Sequence, residues 1–372
     1  HGESNGKRRY RAEYDQLDKA GLDNLDAIEK TVSEGKWDCD FWRVGSLAVA
    51  VEDHQVPWLR DEADGERAVF LDADAVRKSV NSPTYLAANF SAQDTAMVHP
   101  GKLTRELLTA CLEAGVEVLS HTPVKGLDAD RSRVTLQVPG GEVVAQRVSL
   151  ATNVFPSLLK RYSLHTIPVY DYVLMTEPLT PEQKASVGWD GREGVADMAN
   201  QFHYYRITAD DRILFGGYDA VYHYGGEVNE RHEDRPQSYR RVASHFFTTF
   251  PQLEGIAFSH RWAGAIDTCS RFSAFFATAH QSRVAYSAGF TGLGVAATRF
   301  AAEVMLDQLD GLHTWRTELE MVKSMPLPFP PEPLCYPAVQ LTKAGLDRAD
   351  HRQGRRGLFL KTLDAAGLGF DS

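Results

Sequence analysis

The chain has 372 residues, 43% apolar and 24% charged, the balance of a folded protein with room for two domains and a sizeable core. Forty basic against fifty acidic side chains leave a formal charge of −10, which disfavours nucleic acid and anionic membranes as partners. No apolar run approaches the roughly 20 residues of a membrane span, the first residues lack the apolar stretch of a secretory signal, and the four scattered cysteines (Cys39, Cys111, Cys269, Cys335) form no CxxC pair, so reduced thiols in a cytoplasmic protein are expected.

Residues 8–34 repeat apolar side chains at Tyr10, Tyr14, Leu17, Leu25, Ile28 and Val32, close to a helical period, and predict a helix that needs a packing partner. DFWRVGSLAVAVE alternates and predicts a strand. GERAVFLDADAVRKSV reads as a short strand and a helix with Asp72 or Asp74 near its start. HPGKLTRELLTACLEAG places Leu103, Leu107, Leu108, Cys111 and Leu112 on one helical face and stops at Gly115, with VEVLSHTPV following as a strand. VKGLDADRSRVTLQVPGGEVVAQRVSLATN then gives strand, strand, PGG turn, strand and a last apolar strand. A helix, a strand, a meander and a returning strand make the second half of a dinucleotide-binding unit, whose ligands lie at the carboxyl ends of the strands.

Residues 165–225 are rich in Tyr, Val and Thr, as in a large antiparallel sheet, to which FSHRWAGAIDTC adds a strand. RPQSYRRVASHFFTTFPQL between them predicts a helix. RVAYSAGFTGLGVAATRFAAEVMLDQLDG reads as strand, glycine turn and long helix, and MPLPFPPEPLC as an extended strap. Asn89-Phe90-Ser91 spells a glycosylation sequon, meaningless without secretion.

The chemistry-bearing segment is AYSAGFTGLGVAATRF. Gly289, Gly292 and Gly294 let the backbone pass close to a ligand, and the helix beginning near Val295 aims unpaired N–H groups at it. Such turns also occur with no ligand. Several further segments, in order, carry a resemblance: MVHPGKLTRELLTACLEAGVEVLSHTPVKGL, VSLATN, IPVYDYVLMTEPL, FHYYRITADDRILFGGYDAVYHYGG, GFTGLGVAATRF and the tail through GLGFDS. Together they resemble the D-amino-acid oxidase-like FAD-dependent oxidoreductases, most closely the gamma-glutamylputrescine oxidase branch.

The resemblance implies a mixed α/β fold: a Rossmann-like FAD domain (1–36, 98–155, 284–312), an antiparallel-sheet substrate domain (37–97, 156–283) and a C-terminal strap and helix (313–372). It implies a backbone contact to the adenosine of FAD at Val124, with Ala151, Thr152 and Asn153 beside the flavin. Gly289, Phe290, Thr291, Gly292, Leu293 and Gly294 would line its ring, whose reduced form the helix would stabilise. The reaction implied is hydride removal from the C–N bond of an amine, hydrolysis of the imine, and reoxidation by O2 or another electron acceptor.

Two departures qualify it. The family's opening strand, GxGxxG turn and helix are missing from these residues, so the FAD domain is expected to be incomplete, through processing or truncation rather than supply by another chain. Relatives acting on simple amino acids often carry an arginine two residues after the WAG-like glycine; Ile266 stands here, which favours an amine or gamma-glutamyl-amine over a plain amino acid. An amino-acid oxidase or N-demethylase, and a non-catalytic binding or scaffold remnant, are the alternatives.

Arg206 is the candidate for a substrate carboxylate; otherwise it pairs with Asp210 or Asp211 on a strand surface. Tyr205 and Tyr218 are expected to wall the pocket, His203 and His260 to accept a proton from the substrate ammonium, and Trp262 to stack beside the flavin. Asp267 would bind a substrate nitrogen or anchor Arg271. The basic segment DRADHRQGRRGLFLK is expected to be a solvated helix packed by Leu346, Leu358 and Leu360. No metal-ligand motif, Walker loop or Ser–His–Asp elbow is present.

Overall fold

The computed structural model describes residues 3–365 and 367–368, so most of the GLGFDS match lies outside the described residues. In chain order the helices are α1 (Glu3–Arg9), α2 (Tyr14–Gly35), α3 (Val56–Glu62), α4 (Ala73–Ser79), α5 (Pro100–Glu113), α6 (Pro181–Val187), α7 (Pro236–Thr249), α8 (Gly294–Asp310), α9 (Trp315–Glu318), α10 (Glu320–Lys323), α11 (Cys335–Asp350) and α12 (Leu358–Ala365). The strands are β1 (Ser46–Ala50), β2 (Ala68–Asp72), β3 (Ala87–Ser91), β4 (Gly126–Ala129), β5 (Val134–Val138), β6 (Gly141–Ala145), β7 (Val148–Leu150), β8 (Thr166–Thr176), β9 (Gly194–Asp197), β10 (His203–Ile207), β11 (Ile213–Gly217), β12 (Val221–Tyr222), β13 (Phe258–Cys269), β14 (Phe275–Ala279) and β15 (Val284–Ala288). They form two units, one of residues 1–37, 100–168 and 266–335, the other of 38–99, 169–265 and 336–372. This division differs from the expected boundaries: 275–279 pairs with 284–288 and so joins the first unit, and the C-terminal segment is shared between the two.

In the first unit a sheet of order β14-β15-β7 carries β15, buried at every residue. Burial along its whole length is what a strand covered on both faces shows. β15 runs parallel to β7, with Val284 opposite Val148. The meander β4-β5-β6 forms a separate antiparallel sheet, its turn made possible by Gly140 at φ 84°. The expected first helix is split: Tyr10 leaves the helical path, is buried, and its hydroxyl meets Ser273 Oγ at 3.1 Å. The partner required by α2 is α8, where Asn24 Nδ2 donates to Ala296 O at 2.9 Å. Tyr10, Leu17, Phe276, Ala301, Val304, Leu319 and Val322 close that core.

One expectation fails here. VEVLSHTPV is not a strand, because among the described residues no strand pairs with it. Extended chain without a ladder partner gains no hydrogen bonds for its lost entropy. The helix before it forms as expected, yet α5 buries no residue, and Leu107, Leu108, Leu112, Val116, Val118 and Leu119 are all exposed.

The second unit holds a nine-stranded sheet of order β12-β8-β11-β10-β9-β1-β3-β2, with β13 also on β8. β1 and β9 run parallel; the other registered pairs are antiparallel. One face is covered by α7, whose Tyr239, Val242 and Phe246 pack with Tyr172, Leu174, Tyr205, Phe215 and Phe250. At the C-terminus Leu360 is buried against Gly345, whereas Leu358 is 85% exposed and does not pack, since it opens α12 on the solvent side. Asn89 is buried with Nδ2 on Leu59 O, inaccessible to glycosylation. No disulfide joins the four cysteines. No described helix is long and apolar enough to cross a membrane.

Candidate functional site

In the first unit the candidate residues gather where β15 ends. Gly289 (φ 77°), Thr291 (φ 52°) and Gly292 (φ 84°) turn the chain through the left-handed region, and α8 starts at Gly294. The three glycines differ in purpose. A Cβ on Gly289 would stand 2.8 Å from Cys269 Cβ and 3.0 Å from Phe275 Cδ1, so this glycine serves internal packing. A Cβ on Gly292 meets nothing nearer than Ile266 Cδ1 at 3.8 Å, and on Gly294 nothing nearer than Phe290 Cβ at 3.7 Å. Leu293 and Val295 are exposed, the helix has no side-chain cap, and its first turn has no acidic residue. Its N–H groups therefore face open space with their partial positive charge uncompensated.

Asp267 fixes the bend from behind. Its Oδ2 accepts from Gly289 N at 2.7 Å and from Phe290 N at 3.2 Å. Burial pushes its carboxyl up from the ordinary range, and the Phe290 and Gly289 N–H groups hold it back. Its tie is thus to backbone, and it does not reach Arg271. The Arg271 guanidinium instead donates to backbone oxygens of Ser273 (3.1 Å), Ser324 (2.9 Å), Met321 (2.8 Å) and Ala274. Thr152 is half-buried, while Ala151 and Asn153 are exposed just beyond β7, the latter at φ 50°. Val124 is half-buried in irregular chain before β4.

In the second unit the strand period decides which candidates can meet. Successive residues of β10 point to opposite faces, so Tyr205 and Arg206 cannot wall one cavity. Tyr205 lies in the core, stacked on Phe215 at 4.8 Å, with its hydroxyl 2.7 Å from that of Tyr85. His203 shares this face. Its Nδ1 meets Asp197 Oδ2 at 2.6 Å and its Nε2 meets His245 Nδ1 at 2.8 Å, so both ring nitrogens are engaged. With Nδ1–H given to the carboxylate, Nε2 is left to accept from His245. Burial, then the neighbouring His203 and Arg241, pushes His245 down to about 4. Tyr218, at φ 66°, stacks on His203, and its hydroxyl lies 3.4 Å from Asp347 Oδ1.

Arg206 points to the other face with Tyr204. Its Nη1 donates to Val98 O at 2.6 Å, while its Nε is buried without a partner. Asp210 and Asp211 engage Arg212, Lys184 and Arg192 instead. On that face the Tyr204 hydroxyl crosses Gly216 to donate to Asp171, whose carboxyl is pushed up by burial. Sequence reasoning missed both residues. The available signal was a lone charge inside the apolar run IPVYDYVLMT, and the two-residue spacing of Tyr204 and Arg206. His260 and Trp262 are exposed on β13, with His260 Nδ1 2.9 Å from Ser259 Oγ.

A family model described as FAD dependent oxidoreductase, DAO, matches residues 3–308. The chain belongs to the DAO family. FAD is the cofactor of DAO proteins, and their members are oxidoreductases. Two curated relatives are similar to this DAO-family chain. Gamma-glutamylputrescine oxidoreductase of Escherichia coli (strain K12) is 28% identical over 297 residues, 76% of this chain and 65% of that protein. Probable oxidoreductase OrdL of Haemophilus influenzae is 25% identical over 306 residues, 78% of this chain and 66% of that protein. The chain thus spans about two thirds of the length of these relatives. Among solved structures, glycine oxidase from Geobacillus kaustophilus shares the fold with a TM-score of 0.68 at 16% identity, covering 82% of each chain.

Proposed function

We propose that this DAO-family chain serves the oxidation of a primary or secondary amine at its C–N bond, of the gamma-glutamylputrescine or polyamine type. FAD, when bound, supplies the hydride acceptor. The open glycines and uncapped helix at 292–294 fit an electron-rich ring edge, which the N-terminal amides of α8 would stabilise. One observation carries the choice of an amine: Ile266, not a cation, stands beside Gly292 at the mouth of that helix. An α-carboxylate placed there would find no bidentate partner. In the second unit Arg206, with its unpartnered Nε, is the candidate for a substrate carboxylate. His203 has no free nitrogen with which to take the substrate proton. With dioxygen as acceptor the product is peroxide; the imine hydrolyses in water.

The test is peroxide release by the FAD-loaded protein with putrescine derivatives, polyamines and N-methyl amines, alongside anaerobic bleaching of the flavin. Bleaching without peroxide selects another electron acceptor. Neither signal with any of the three classes sinks the proposal. A second reading, a non-catalytic binding protein, is favoured by the bare apolar face of α5. A colourless preparation that FAD cannot reconstitute would select it.

A further inference from the structure

Away from these residues, the second unit contains a charge arrangement that the oxidation does not use. Asp219, 1% exposed, receives three cations: Arg235 Nη1 at 2.7 Å, Lys343 Nζ at 2.8 Å and Arg241 Nη1 at 2.9 Å. Ser238 Oγ donates to the same carboxylate. Among the described residues no second carboxylate forms an ion pair with any of the three, so the cluster holds two positive charges beyond neutrality. One buried carboxylate needs one cation; holding three close together is costly unless solvent or an anion balances them.

Arg235 and Lys343 line a cavity of about 360 Å³. Its walls are Tyr222, Tyr224 and Tyr336, with the Tyr224 and Tyr336 rings 5.9 Å apart and at 70°. Its floor includes His223, stacked on His232 at 3.7 Å; the Nε2 of each is buried without a hydrogen-bond partner. The three ammonium donors of Lys343 exceed the single bond made to Asp219, which leaves two for a ligand. A cationic floor under aromatic walls favours a flat, doubly negative molecule.

We propose that this cavity is a binding site for a small aromatic dianion, a phosphate monoester or a dicarboxylate, held by Lys343 and Arg235 against the tyrosine rings. Titration calorimetry on the full chain with phenyl phosphate and with phthalate tests it. Saturable one-to-one binding of either is expected, weakened about tenfold or more by Lys343→Gln and unchanged by Lys30→Gln, whose side chain does not line the cavity. Binding of phenyl phosphate alone identifies a phosphate ester as the ligand class. Asp219 retains two arginines in Lys343→Gln, so the fold survives. As an independent check, Tyr224→Ala at an exposed position should weaken phenyl phosphate severalfold while leaving inorganic phosphate unchanged. No heat up to about 10 mM of either probe, or equal affinity in the Lys343→Gln protein, overturns the proposal.

Discussion

The Asp197–His203–His245 chain makes stability depend on pH through one ring. His245 is held near 4 against an ordinary value of 6.5. The unfolded chain therefore binds a proton there that the folded chain refuses, and stability falls as pH drops from above 6.5 towards 4. The full difference corresponds to about 3.4 kcal/mol, but His245 is only half-buried, and screening leaves about half. At a pH of about 4.5, where most of that loss has developed, the effect is about 1–1.5 kcal/mol. His245→Asn removes the titration while its amide can still donate to His203 Nε2. Urea unfolding of both proteins, near neutrality and near pH 4.5, should show the natural chain losing that much more than the variant. Other depressed histidines, such as His223 and His165, contribute equally to both and cancel in the difference. Parallel losses in the two proteins would refute the assignment.

Asp267→Ala leaves the buried Gly289 and Phe290 N–H groups without an acceptor and should cost about 2–5 kcal/mol in urea unfolding, whereas Asp267→Asn, which keeps an oxygen, should cost far less. Gly289→Ala combines a left-handed backbone with a 2.8 Å carbon–carbon approach and should cost about 3 kcal/mol or more; Gly292→Ala carries the backbone term alone, about 1–2 kcal/mol. Arg206→Met should raise KM about tenfold to a hundredfold for amines bearing a remote carboxylate and leave plain amines unaffected, with kcat little changed in steady-state assays.

Local signals in the sequence carried far. The meander 126–150, the α5 helix and the strand 258–269 were readable because alternation, turn glycines and helical period are written within a few residues. The strand expected after Gly115 failed because a ladder needs a partner that no local pattern supplies. Assigning both Tyr205 and Arg206 to the substrate ignored the two-residue period that sends neighbours to opposite faces. Asp197, His245 and Asp219 were out of reach for another reason. Their meaning lies in contacts with His203, Arg235, Arg241 and Lys343, the last of them more than 100 residues from Asp219 along the chain.

Arg271 has a consequence for how the protein is made. The carbonyls that satisfy its guanidinium at Met321 and Ser324 leave the ribosome about 50 residues after it, and β15 must find β7 across a still longer interval. During synthesis at roughly 5–20 residues per second, a nascent chain therefore carries this cation with only its local acceptors, Ser273 and Ala274, for several seconds. The first unit matures only when its last contributors emerge, and a ribosome stalled before residue 320 would present this unit unfinished to chaperones.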